Sequence, residues 1–104
     1  MTDTIDLEIG VTLVVFRVWK RDRTNNAGAD NETVFAMFPG DPEGAYGEYV
    51  SCYEHLGGHG SADYAGCIRR SRPARPEEYA RLKRELEGAP YNYRLRVIQR
   101  RGRV

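Results

Sequence analysis

Between Val11 and Arg21 the chain reads VTLVVFRVWKR, which is apolar on both of the faces that an extended segment presents. Val14, Phe16 and Val18 alternate onto one face, and Leu13, Val15, Arg17 and Trp19 onto the other. β-branched and aromatic side chains favour extended backbone, so a strand is expected here. A strand that is apolar on both sides belongs in the interior of a sheet. The 104 residues have room for one modest core, so residues 1–104 are expected to form a single domain.

The flanking segments give the sheet its other members. Residues 1–9 read as a frayed lead-in. DRTNNAGADNE (22–32) reads as a flexible hairpin loop, and TVFAMF (33–38) as a second strand stopped by Pro39-Gly40. EYVSCYEH (48–55) alternates as a third strand. RPEEYARLKRELEG carries the firmest helix signature: Pro76 at the first position, Glu77 and Glu78 in the first turn, and Tyr79, Leu82 and Leu86 as one stripe. Gly88 and Pro90 end it, and Arg75 is a poor N-cap. YNYRLRVIQRR (91–101) is a last strand, with Tyr91, Tyr93, Leu95 and Val97 on its core face.

The order β-β-β-α-β predicts an α+β fold. One helix cannot cover two sheet faces, so a two-layer arrangement is expected: a four-stranded mixed or antiparallel sheet with one helix packed on one face. The third strand, the helix and the last strand can form a right-handed crossover.

Charge and hydropathy bound the setting. The longest apolar run, Val11 to Phe16, is interrupted by Thr12 and falls far short of the ~20 residues that span a bilayer. MTDTIDLEIG is acidic and lacks a basic leader region, so no signal peptide is expected and the cytoplasm is the default location. Cys52 and Cys67 are then expected as thiols. Residues 1–68 hold 4 Lys/Arg and 11 Asp/Glu, a balance of −7, whereas residues 69–104 hold 12 and 4, a balance of +8. Either the two parts face each other, or the basic third meets an anionic partner. A pI near 7.8 does not favour a dedicated nucleic-acid binder.

The candidate site is CYEHLGGHGSADYAGC (52–67), which holds every cysteine and histidine of the chain. Four readings stay open. Cys52, His55, His59 and Cys67 are zinc-type ligands, but Cys52 and His55 point to opposite faces of a strand. His55 and His59 can act as acid and base with Asp63 as the orienting carboxylate, although no nucleophile motif accompanies them. Gly57, Gly58 and Gly60 can turn N–H groups inward, and Arg69, Arg70 and Arg72 follow, a recipe for a phosphate pocket that Tyr53 and Tyr64 would complete. Finally, the loop can be purely structural.

VVFRVWK, TVFAMFP, YEHLGGHGSADY, RPARPEEYARLKRELEG and YRLRVIQRR together resemble a small family of uncharacterised bacterial and phage-encoded proteins. Its pattern includes a YxHxGxHGxxDY segment and a RPATPEEY helix start. The resemblance spans about residues 14 to 101 and is most specific at Tyr53, His55, Gly57, His59, Gly60, Asp63 and Tyr64. Arg75 departs from the family threonine, and the pattern does not require Cys52 or Cys67. The resemblance implies a phage-type accessory factor in a bacterial host cytosol. The expected function is a non-enzymatic binding protein without a cofactor, presenting the His55–Tyr64 loop to a phosphate-bearing ligand or a host protein. The alternatives are a metal-independent phosphodiesterase or nuclease using His55 and His59, and a protein–protein interaction module, including a homodimer through a strand edge.

Overall fold

The segment that is apolar on both faces lies inside the sheet. In a computed structural model, which describes residues 10–20, 34–44, 48–55 and 57–99, it forms strand β1 (Val11–Trp19). Strand β2 (Val34–Glu43) pairs antiparallel along one edge, with Val15 opposite Met37 and Val18 opposite Val34. Strand β3 (Tyr49–Glu54) pairs with β2, and β4 (Gly58–Asp63) pairs with β3. A short helix, α1 (Tyr64–Arg69), leads into β5 (Ser71–Pro73); α2 (Pro76–Glu87) and β6 (Arg94–Val97) complete the chain. The sheet order is β4-β3-β2-β1-β5. β5 runs antiparallel to the end of β1, and β6 runs parallel to its beginning. The Ala74 N–H donates to Phe16 O and the Ile98 N–H to Val14 O. Carbonyls two residues apart point to one side of a strand, so β5 and β6 share the second edge of β1.

The α+β class is as expected, but the details differ. Among the described residues the sheet has six strands instead of four, and β6 pairs with β1. β2 continues past Pro39-Gly40 to Glu43, because the register shifts between Phe38 and Pro42 and the prolines need donate nothing to the ladder there. The expected 1–9 lead-in and 22–32 loop lie outside the described residues.

Among the described residues two helices, not one, answer the two apolar faces. On the first face Val14, Phe16, Val18, Ala36, Phe38 and Tyr53 pack with Leu82 and Leu86 of α2. On the second, Phe35, Met37 and Val50 pack with Cys67, and Tyr64 and Ile68 of α1 lie against them. α1 is only six residues long, too short for a periodic signal. It is started by Asp63, whose Oδ1 accepts the Gly66 N–H at 3.3 Å. A Cβ on Gly66 would stand 2.5 Å from Asp63 Oδ2, so a larger residue there would push the capping carboxylate aside. Asp63→Ala should therefore cost about 1 kcal/mol of stability in urea melts, the usual worth of an N-cap; a loss below about 0.3 kcal/mol would show that this cap does not hold α1.

Arg17 is a charge on the second face, and it is 6% exposed. Its Nε donates to Ser71 Oγ at 2.9 Å, and its Nη2 donates to Ser71 O at 2.8 Å and Ile68 O at 3.1 Å. Ser71 Oγ in turn donates to Cys67 O at 2.6 Å. The guanidinium thus collects carbonyls at the carboxyl end of α1, where the helix dipole favours a cation. Burial lowers its pKa, with Tyr64 opposing. α2 is closed at its other end: Glu78 Oε1 accepts the Arg75 N–H at 2.8 Å, which supplies half of a capping box despite the poor N-cap residue.

Candidate functional site

Strand register decides which members of the 52–67 segment meet. Tyr53 lies opposite His59 across β3 and β4, on the face covered by α2. The expected glycine-rich loop is a hairpin, so His59 stands on a strand. Gly58, at φ +72°, takes the left-handed conformation at its start.

Around Tyr53 the structure gathers a patch of rings. The His59 ring centroid is 4.7 Å from that of Tyr53 and 5.1 Å from that of Tyr91, edge-on to the latter. Tyr91 lies 5.3 Å from Tyr53 in a T-shaped contact, and Tyr93 lies 5.4 Å from Phe38. His59 Nε2 and the Tyr93 hydroxyl are 3.0 Å apart. His55 Nδ1 is 2.7 Å from Glu85 Oε1, and the Tyr53 hydroxyl donates to Glu85 Oε2. A carboxylate only accepts, so Glu85 fixes the proton of His55 on Nδ1. Burial, together with hydrogen bonds to Glu85 and Tyr91, holds the Tyr53 phenol well above its ordinary range, so it remains a donor. Tyr53 is buried, whereas the His55 side chain is 41% exposed and Tyr91 39% exposed.

The remaining candidates lie elsewhere. Asp63 caps α1 and is four residues along β4 from His59, about 13 Å at strand rise, so it does not orient the histidines. Tyr64 packs on the opposite face. Gly57 belongs to the turn, and Gly58 and Gly60 belong to β4. Arg69 and Arg70 lie at the end of α1, and Arg72 lies on β5, four strands or about 19 Å from β4. Arg72 is already engaged by Glu78, with bonds of 2.9 and 2.7 Å. Proximity in sequence misleads here because α1 carries the chain under the second face, from one side of the sheet to the other.

The four zinc-type ligands are likewise divided. Cys52 and Cys67 belong to the second face and the two imidazoles to the first. Among the described residues no three His, Cys, Asp or Glu side chains are grouped to hold a metal ion. Burial pushes the Cys67 thiol up and keeps it protonated, against the opposite pull of Arg70. Among the described residues no helix is long and apolar enough to cross a membrane.

Glu85 is the residue that sequence reasoning missed. It follows Leu82 by three positions and precedes Leu86, at the margin of the apolar stripe, where a carboxylate needs a partner. Of the two tyrosines expected on the core face, Tyr93 packs half-buried against it, whereas Tyr91 is exposed and forms the rim of the patch.

Comparison with protein-family models, curated proteins and solved structures finds no match in any of the three.

Proposed function

We propose that the protein is a non-enzymatic binding protein and that the His55–His59–Tyr91 patch is the surface it presents to a protein partner. The observation that carries this reading is exposure combined with fixation. His55 and Tyr91 stand well out in solvent, yet Glu85 holds the first and the His59 and Tyr53 rings hold the second. Rings already held in place lose little side-chain entropy on docking, and tyrosine is enriched among the residues that dominate binding energy. A phosphate-bearing ligand is less well supported, because the arginines lie elsewhere and the patch contains a carboxylate. A phage-type accessory role, implied by the motif resemblance, is compatible with a protein partner.

Capture from an extract of the producing cell, with wild type and with a His59→Ala/Tyr91→Ala variant, supplies the test. The recovered partner, purified and titrated by calorimetry, should bind the variant at least about 10-fold more weakly, as loss of an interface anchor does. Equal affinity for both chains would refute the patch as the binding surface.

One observation favours a second reading, acid–base hydrolysis of a phosphodiester. Glu85 holds His55 by Nδ1 and leaves Nε2 as a basic nitrogen. His59 is opposite Tyr53, hence diagonal to His55, a placement worth about 7–8 Å between strand positions. It ranks second because, among the described residues, no cation is bonded to the His55, His59, Tyr53 or Tyr91 side chains to stabilise developing phosphate charge. It requires turnover of RNA or a cyclic nucleotide with a bell-shaped pH profile, lost in His55→Ala and in His59→Ala.

A further inference from the structure

The two edges of the sheet are built differently. The edge beyond β1 is divided between β5, of three residues, and β6, of four, and it carries Arg72, Pro73, Arg94 and Arg96. Short strands, proline and charge are the devices that keep a sheet edge from pairing with another chain. The edge at β4 is less protected: its one formally charged side chain is Asp63, at its last position. GHGSAD is six residues long, pairs with β3 over six consecutive positions without a bulge, and contains no lysine, arginine or proline. Among the described residues, only β3 pairs with it. Its side chains are small apart from His59, and His59, Gly60, Ser61 and Asp63 are exposed.

We infer that two copies of this chain pair antiparallel along β4, about a twofold axis at Ser61, to give one continuous sheet. In that register His59 stands opposite Asp63 of the second copy, twice, and Gly60 stands opposite Ala62. The strand's one basic and one acidic side chain therefore complement each other across the axis. Pairing about Gly60 would instead set His59 against serine and leave each Asp63 opposite Gly57, with no charge partner. Among the described residues His59 is bonded through Nε2, towards Tyr93, and Asp63 through Oδ1, towards Gly66, which leaves Nδ1 and Oδ2 for the second copy. A second copy is thus the occupant whose charges match this edge. A twofold axis normal to the sheet keeps both ring patches on one side, next to each other. A six-residue strand pair is smaller than the ~1,200 Å² of a standard stable interface, so the dimer depends on concentration. This inference stands on the edge alone and holds whether or not the patch binds a partner.

Sedimentation equilibrium of the full chain from about 10 µM to 1 mM tests it. Wild type and Ser61→Thr should both dimerise reversibly. Ser61→Lys sets two ammonium groups directly opposite each other at the axis and should weaken dimerisation at least about 10-fold while leaving the circular dichroism spectrum unchanged. Ser61→Cys should oxidise to a covalent dimer joined at position 61, as mapped by peptide mass spectrometry. Monomer throughout, dimers indifferent to Ser61→Lys, or oxidised dimers joined only through Cys52 or Cys67 would each overturn the inference.

Discussion

Replacing Arg17 with methionine should lower the unfolding free energy by about 2–4 kcal/mol, a large share of what a domain of this size commands. Methionine fills the space of the aliphatic stem but donates nothing. Ile68 O, Ser71 O and Ser71 Oγ then lose the donor that reached them in a site closed to water. Bonds to a charged donor are worth about 1.5–3 kcal/mol each, and partial rescue by neighbours brings the total into the stated range. Arg17→Lys keeps the charge at the end of α1 but cannot reproduce the fork, so an intermediate loss is expected. Trp19, the chain's single tryptophan, stacks on Phe35 at 4.1 Å on the same face and makes fluorescence a direct reporter in urea. A change below about 0.5 kcal/mol would mean that the buried charge costs nearly as much as its bonds return.

Glu78→Gln should cost about 2–3 kcal/mol at neutral pH and almost nothing near pH 2. Glu78 is 7% exposed, receives two bonds from Arg72 and one from the Arg75 backbone, and has its carboxyl held down to about 2 from a usual 4.5. A depressed carboxyl pKa stabilises the fold above the unfolded value and ceases to do so as pH falls through the folded one. The full contribution is therefore present above about pH 5 and disappears between there and pH 2. A shift of this size converts to about 3 kcal/mol, reduced because Arg72 is 39% exposed. Melting temperatures of the two proteins, measured from pH 7 to pH 2, should converge on the acid side. Parallel curves would show that Glu78 titrates as an ordinary surface carboxylate.

The helix α2 was legible because twelve residues give the 3.6-residue period room to repeat, and because Pro76 and Gly88 mark its ends. β1, β2 and β3 were legible for the corresponding reason at period two. α1 and β5 were not: six and three residues are too few for a period, and the Asp63 cap reads as a turn residue until the helix is seen. The candidate site divided along the same line. Tyr53, His55 and His59 do come together, because alternation along β3 puts Tyr53 and His55 on one face and the hairpin register sets His59 opposite Tyr53. Asp63, Tyr64 and the arginines were grouped with them by proximity along the chain, and the α1 turn separates them.

Sequence by itself determined the α+β class, the interior position of β1 and the apolar stripe of α2, since each depends on local periodicity; that His59 shares a face with Tyr53 and His55 was decided by the β3–β4 register. Tertiary structure alone decided that β6 completes the edge of β1, that Glu85 is the carboxylate beside His55, and that Arg17 is buried among carbonyls. Those pairs are 30 and more residues apart, and no local pattern records which distant groups will satisfy one another. The physical reason is that a buried polar group must find a partner wherever the chain's path brings one, and that path is set by the packing of the whole domain.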